Sequence, residues 1–339
     1  MTIALITGLI SDLVNLLLGL IGVEKESLKT LLEQWHLIYF WDSARTIFGV
    51  TFVLGLAGAL VLEKVAGRLR SRAFSASFWQ GFWFHVLNIA ILGAVLASAL
   101  SWVHWAYITY LPFLDVRVLS QYSHPVQFVL LFVIQDFVRY VRHWTLHKVP
   151  LFWVFHAVHH SDSEVGPTTD FRSHIGEKVL GSLLNTGPFM ILGADPAVIL
   201  TLVLLEEFWT LFLHSSARIR LGPIERFVIT PCFHRLHHSK EPHHWDKNYG
   251  TFFTVWDRAF GTASMDYDSS FETGIAEYGR ADPASSSIQD CVKNWAWLTI
   301  RPFLDIARGG WRTRSPEIYG APAPPAPEIV QIDDAAVGD

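Results

Sequence analysis

Cysteine is almost missing from this chain. Among 339 residues there are only Cys232 and Cys291, too few for a disulfide framework and at no zinc-binding spacing. Cys232 stands two residues before His234, where a thiolate ligand is conceivable, but a buried inert thiol is the favoured reading. Charge is scarce as well. Asp, Glu, Lys and Arg make up 17% of the residues, where a soluble domain carries about a quarter. The missing charge implies that much of the apolar surface faces lipid. A net charge of -5 without a basic stripe or a nucleic-acid motif excludes nucleic acid as partner. The HExxH signature of zinc peptidases is missing, and so is a Gly-rich nucleotide-binding βαβ turn. The N-terminus has no basic n-region and no clear cleavage site, so it is not read as a removable signal.

What the chain does have is long apolar runs. Residues 46–62 are uncharged, and 82–111 contain no acid or base other than two histidines, so each is long enough for one span. A third run starts at Val126 and turns amphipathic. The region 179–213 holds two shorter runs separated by GADP, which fits a helical hairpin dipping into the bilayer. The fold expected is therefore all-α and integral to a membrane, with about four spanning or dipping segments and a cytoplasmic helical cap. Residues 1–22 read either as a span or as an interfacial helix. Between the first two clear spans, Lys64, Arg68, Arg70 and Arg72 lie close together; the positive-inside rule puts them, and everything from His143 on, on the cytoplasmic side. The expected organisation is a membrane region over 1–125, a metal-binding domain over 126–265, a C-terminal cap over 266–315 and a disordered Pro/Ala-rich acidic tail over 316–339.

Histidine carries the strongest signal. Twelve of sixteen histidines lie between 143 and 244, in clusters: His143 and His147, then His156, His159 and His160, then His234, His237 and His238. Positions i, i+3 and i+4 share a helix face, so each cluster can aim its rings at one point. Neutral imidazole is a ligand for iron, zinc, copper and nickel. Burying so many rings without a shared partner would cost about 1–3 kcal/mol for each unsatisfied group. Eight imidazoles exceed what one ion takes, which points to two metals. A bis-histidine haem needs single facing histidines instead of clusters. His243 and His244, in a polar KEPHHWDK loop, read as exposed or at a substrate mouth, and His36, His85, His104 and His124 read as packing residues.

These residues resemble the fatty acid hydroxylase and sterol desaturase superfamily of membrane di-iron enzymes. The resemblance rests on Asp136, Tyr140, His143 and His147; on His156, His159 and His160; on His234, His237 and His238; and on DKNYG at 246–250 and WDRAFGT at 256–262. It covers about residues 126 to 265. Trp144 departs from it, standing where the family commonly has arginine, and Ile175 replaces a proline in a pattern written RxHPxE. The same resemblance suggests His174 and His214 as further ligands. Asp136 and Glu207 each stand seven residues before a histidine, and an all-histidine site calls for carboxylates that accept the outer N–H of its ligands. Asp136 and Tyr140 are read in that role; Glu207 is read either so or as a helix-to-helix hydrogen bond. Asp257 and Arg258 read as a structural pair, and SDSE at 161–164 has no assignment.

What the resemblance implies is a pair of non-haem irons that use dioxygen to oxidise a C–H bond of a lipid: a sterol, a fatty acyl chain or another membrane lipid. Hydroxylation is favoured over desaturation by analogy with the family. Since the chain shows no cofactor domain for electrons, a separate electron-donor protein is implied. The competing reading is a histidine-rich membrane zinc protein, either a transporter or a zinc hydrolase.

Overall fold

In the computed structural model the described residues are 75–93, 109–217, 219, 221–267, 271–275 and 285–309, with scattered positions between 53 and 65 and between 102 and 107. The segment 1–22, most of the 46–62 run, residues 94–101 of the second run and the tail 316–339 lie outside them.

The described residues are helical and contain no strand, only two isolated bridges, Val228 with Phe253 and Ser239 with Thr273. Eight α-helices carry the fold: α1 (Ala76–Leu87), α2 (His124–Lys148), α3 (Pro150–His160), α4 (Ile175–Leu192), α5 (Pro196–Leu213), α6 (Pro231–His237), α7 (Val255–Ala259) and α8 (Ile288–Ala307). Local chemistry sets most of their ends. Ser75 caps α1 by accepting the Phe78 N–H at 3.2 Å, and Thr230 caps α6 through Phe233. Pro150 stops α2 and opens α3, leaving Val149 in an extended conformation as the single hinge residue. The chain therefore reverses at once, and α3 packs back along α2.

The two apolar runs between 179 and 213 form the hairpin α4–α5. Gly193 ends α4 at φ +66, where a Cβ would also strike Arg117. Asp195 then caps α5 by accepting the Ala197 N–H, with Pro196 in the first turn. The α5 helix is the one described helix long and apolar enough to cross a membrane. Of the about four segments expected, the 46–62 run and part of the 82–111 run lie outside the described residues. The α2 helix falls short because Asp136, Arg139 and Arg142 lower its hydropathy from the side opposite its exposed apolar stripe.

Three small cores hold the bundle. Phe84 of α1, Trp153, Ala157 and Val158 of α3 and Leu298 of α8 form one. Leu119, Leu131, Val198 and Leu202 join α2 to α5, and Leu213, Ile229 and Phe233 join α5 to α6. Burying a Leu or Phe side chain contributes about 1.5–3 kcal/mol, so these contacts anchor the helix ends that bear histidine. Asp162, in SDSE, is 1% exposed and knots the same region together. Its carboxylate accepts hydrogen bonds from Ser77, from Thr169 Oγ1 at 2.6 Å and from the Glu164 N–H. Arg172 lies 3.7 Å from it and also donates to Gln80 of α1.

Candidate metal centre

Four helices deliver the imidazoles. The α2 helix brings His143 and His147, one turn apart on one face. The α3 helix brings His156, His159 and His160, and α6 brings His234 and His237 with His238 as its C-terminal cap. His214 caps the C-terminus of α5. Because α3 folds back on α2 at Val149–Pro150, His143 and His156 come to 5.1 Å between ring centroids, and His147 and His160 to 4.8 Å.

The nine rings divide into two sets. His143, His147, His156, His160 and His237 each offer a nitrogen, all within 4.8 Å of one another; His159, His214, His234 and His238 do the same. Eight of the nine are at most 6% exposed, and His143 is partly buried. Burial, followed by the neighbouring imidazoles, holds His159, His160, His234 and His238 well below the usual histidine pKa. Burial also lowers His237, to about 3. At neutral pH these rings are uncharged, the form that binds metal.

The outer hydrogen bonds show how the rings point. Nδ1 of His237 lies 2.7 Å from the Lys247 carbonyl, Nδ1 of His143 lies 2.9 Å from the Tyr249 carbonyl, and Nδ1 of His214 lies 2.7 Å from the Thr210 carbonyl. A carbonyl can only accept, so in each neutral ring Nδ1 carries the proton and Nε2 presents a lone pair. Those lone pairs face other ring nitrogens. His237 Nε2 is 3.1 Å from His160 Nε2, and His214 Nε2 is 3.0 Å from His234 Nε2 and 3.3 Å from His159 Nε2. Metal–nitrogen bonds of about 2.0–2.1 Å would separate neighbouring ligand atoms by about 3.0–3.4 Å. The residues present therefore fit two metal ions.

The DKNYG segment is built around this cage. Asp246 and Asn248 both take left-handed backbone conformations, φ 60 and 62, which Asp and Asn tolerate better than most residues. That turn aims the Lys247 and Tyr249 carbonyls at His237 and His143. The Asn248 side chain ties the turn to the Phe233 and Ser264 carbonyls and accepts the Ser264 N–H. Asp257 accepts the N–H groups of Tyr249 and Gly250 at 2.8 and 2.7 Å and the Thr262 hydroxyl at 2.6 Å. A Cβ at Gly250 would strike Ile229 and the Asp257 carboxylate, which explains the glycine. Arg258 does not pair with Asp257; it reaches the Arg226 carbonyl at the surface.

Some candidate residues lie elsewhere. His174 caps α4, with Nδ1 accepting the Gly176 N–H at 2.9 Å and Nε2 3.0 Å from the Thr299 carbonyl, and belongs to neither histidine set. Asp136 holds the N–H groups of Phe252 and Phe253 and the Trp256 indole, and touches no imidazole among the described residues. Tyr140 bonds to Thr262 at 3.1 Å. Glu207 makes no contact with an imidazole among the described residues, and its neighbour Glu206 pairs with Arg139. The carboxylates that do approach the cage are Glu177, 3.0 Å from Nδ1 of His156, and Asp170, 3.8 Å from Nδ1 of His214. Glu177 is the acid of the HIGE stretch, so its signal lay three residues beyond His174. His244, read as exposed or at a substrate mouth, is 1% exposed, hydrogen-bonded to Ser239 and beside Asp266.

The fatty acid hydroxylase family matches residues 128–262. Ornithine lipid hydroxylase OlsE of Rhizobium tropici is 33% identical over 131 residues, 39% of this chain and 40% of that protein. Alkylglycerol monooxygenase of Xenopus tropicalis is 30% identical over 210 residues, 60% of this chain and 45% of that protein. The Caenorhabditis elegans alkylglycerol monooxygenase is 29% identical over 164 residues, 48% and 30% respectively. This chain thus spans less than half the length of these relatives, and no solved structure matches it. All nine caged histidines fall inside residues 128–262, the segment that matches the fatty acid hydroxylase family.

Proposed function

We propose that the chain is a membrane di-iron oxidoreductase that hydroxylates a C–H bond of a lipid, using dioxygen and electrons from a separate donor protein. The observation that carries this reading is the pair of histidine sets, whose Nε2 lone pairs converge from four helices. One iron would be held by His143, His147, His156, His160 and His237, and the other by His159, His214, His234 and His238. Bound there, iron would supply the dioxygen chemistry that puts one oxygen atom into the C–H bond and sends the other to water.

The protein's part is positioning and exclusion of water. The Lys247, Tyr249 and Thr210 carbonyls hold the ring tautomer that presents Nε2, and such support is worth about 10–100-fold in metal affinity or activity. The matched relatives named as ornithine lipid hydroxylase and alkylglycerol monooxygenase support a lipid substrate. So does the outer face of α2, where Val126, Leu130, Val133, Phe137, Val141 and Trp144 are all exposed at helical spacing. An apolar stripe of this kind calls for lipid or a partner. The arginines and lysine at 64–72 favour a cytoplasmic active site.

Elemental analysis of the purified chain, paired with lipid analysis of cells with and without it, tests the reading. The result expected is iron at both sets and a lipid that gains one oxygen atom only when dioxygen and reductant are present. Zinc without iron, or hydrolysis without dioxygen consumption, would sink it. A lipid that loses two hydrogens instead would replace hydroxylation by desaturation.

A further inference from the structure

The geometry points to a third metal site, separate from the cage, at which His243, His244 and Asp266 bind one divalent transition ion of the zinc type from solution. Nε2 of His244 lies 3.3 Å and Nε2 of His243 3.5 Å from the same Asp266 oxygen, Oδ2, and the three ligand atoms fall within 4.8 Å of one another. Tetrahedral zinc with bonds of about 2.0–2.2 Å spaces its ligand atoms by about 3.3–3.6 Å. The two rings stand 3.9 Å apart between centroids.

One ligand is already oriented: Nδ1 of His244 is 2.9 Å from the Ser239 hydroxyl, which turns Nε2 towards Asp266. An oxygen partner on the outer nitrogen is the usual support for a metal-bound histidine. The side chains of His243 and Asp266 are 60% and 45% exposed, whereas His244 is 1%. The site is thus anchored on one side and open on the other, which leaves an entry path and a coordination position for water. Residues 239–247 also join two parts of the cage: Ser239 follows His238, and the Lys247 carbonyl supports His237. An ion at this site braces that segment, and through it His237.

The test uses the full chain in detergent or nanodiscs, loaded with iron, titrated with Zn2+ and analysed for both metals after desalting. One zinc per chain is expected with the iron retained. His243→Ala and Asp266→Asn should each weaken zinc binding by more than roughly tenfold and leave the iron in place. Added Zn2+ should also slow iron loss to a chelator several-fold in the parent chain and not in His243→Ala. Zinc uptake unchanged in both variants, no uptake at all, or zinc that displaces iron one for one would overturn the proposal; equal chelation rates would overturn the bracing. Because His243 is exposed, its removal does not threaten the fold. If the cage holds no iron, a zinc lost on His243→Ala still supports the third site, so its fate is separable from that of the proposed reaction.

Discussion

The two histidine sets are alike in chemistry and unlike in support. In the five-histidine set, backbone carbonyls of the DKNYG turn hold His143 and His237, and Glu177 stands 3.0 Å from His156. In the four-histidine set, His214 alone has a comparable anchor, the Thr210 carbonyl, with Asp170 at 3.8 Å. The Nδ1 atoms of His159, His234 and His238 have no hydrogen-bond partner among the described residues. One metal would sit among rings fixed by outer hydrogen bonds, the other among buried rings whose tilt is set mainly by packing. A site whose ligands lack that outer support releases metal sooner and changes coordination more readily. The two irons of the proposed enzyme should therefore differ in affinity.

That difference can be broken from either side. The largest effect is expected from His237→Ala, which removes a ligand of the fixed set and the group its turn is built to hold. Activity should fall by more than about 100-fold, and elemental analysis should show the fixed set emptied first. Glu177→Gln comes next. It keeps the shape and removes the charge beside His156, for an expected loss of about 10–100-fold in metal affinity or activity, read by chelator competition. Asp257→Asn loosens the turn that carries the Tyr249 carbonyl. It should destabilise the protein by about 1–3 kcal/mol, seen as a lower Tm, with metal lost from the five-histidine set before the other.

Acid should act in the same order of sign on the metal-free protein. His237 drops from 6.5 to about 3 on folding, so between those values the unfolded chain binds more protons than the folded one. Stability is then fully present above about 6.5 and declines as pH falls towards 3; a Tm series across that window checks it, and a flat profile would contradict the burial of neutral rings. The smallest effect is expected from His174→Asn. An Asn can cap α4 in its place, so Tm should change by little and both metals should remain; loss of metal would make His174 part of the cage after all.

Much of this arrangement was legible because helical spacing is local. HxxxH and the two HxxHH clusters bring their rings to a common face whatever the tertiary fold, and GADP between two apolar runs announces the α4–α5 turn. What lay beyond reading was which distant atom meets which. Asp136 bonds to amides more than a hundred residues away in the chain, and no periodicity shows that its target is the 252–256 segment and not an imidazole. His174 was suggested as a ligand by its likeness to the family's RxHPxE pattern; the residue of that stretch that stands beside the cage is Glu177, 3.0 Å from His156. Asp162 in SDSE gathers Ser77, Thr169 and Arg172, a role visible only once α1 lies against the 167–169 turn. In α2 the apolar run carries buried charge whose partners, the 252–256 segment for Asp136 and Glu206 for Arg139, no local pattern names.

The most direct test of two unequal metal sites is the iron content of the purified chain during graded chelation, compared between the parent protein and His159→Ala. Two irons per chain, one for each histidine set, should leave in two phases, and His159→Ala should lack the fast phase while keeping the slow one. A single phase in the parent, or one that His159→Ala leaves untouched, would contradict the account.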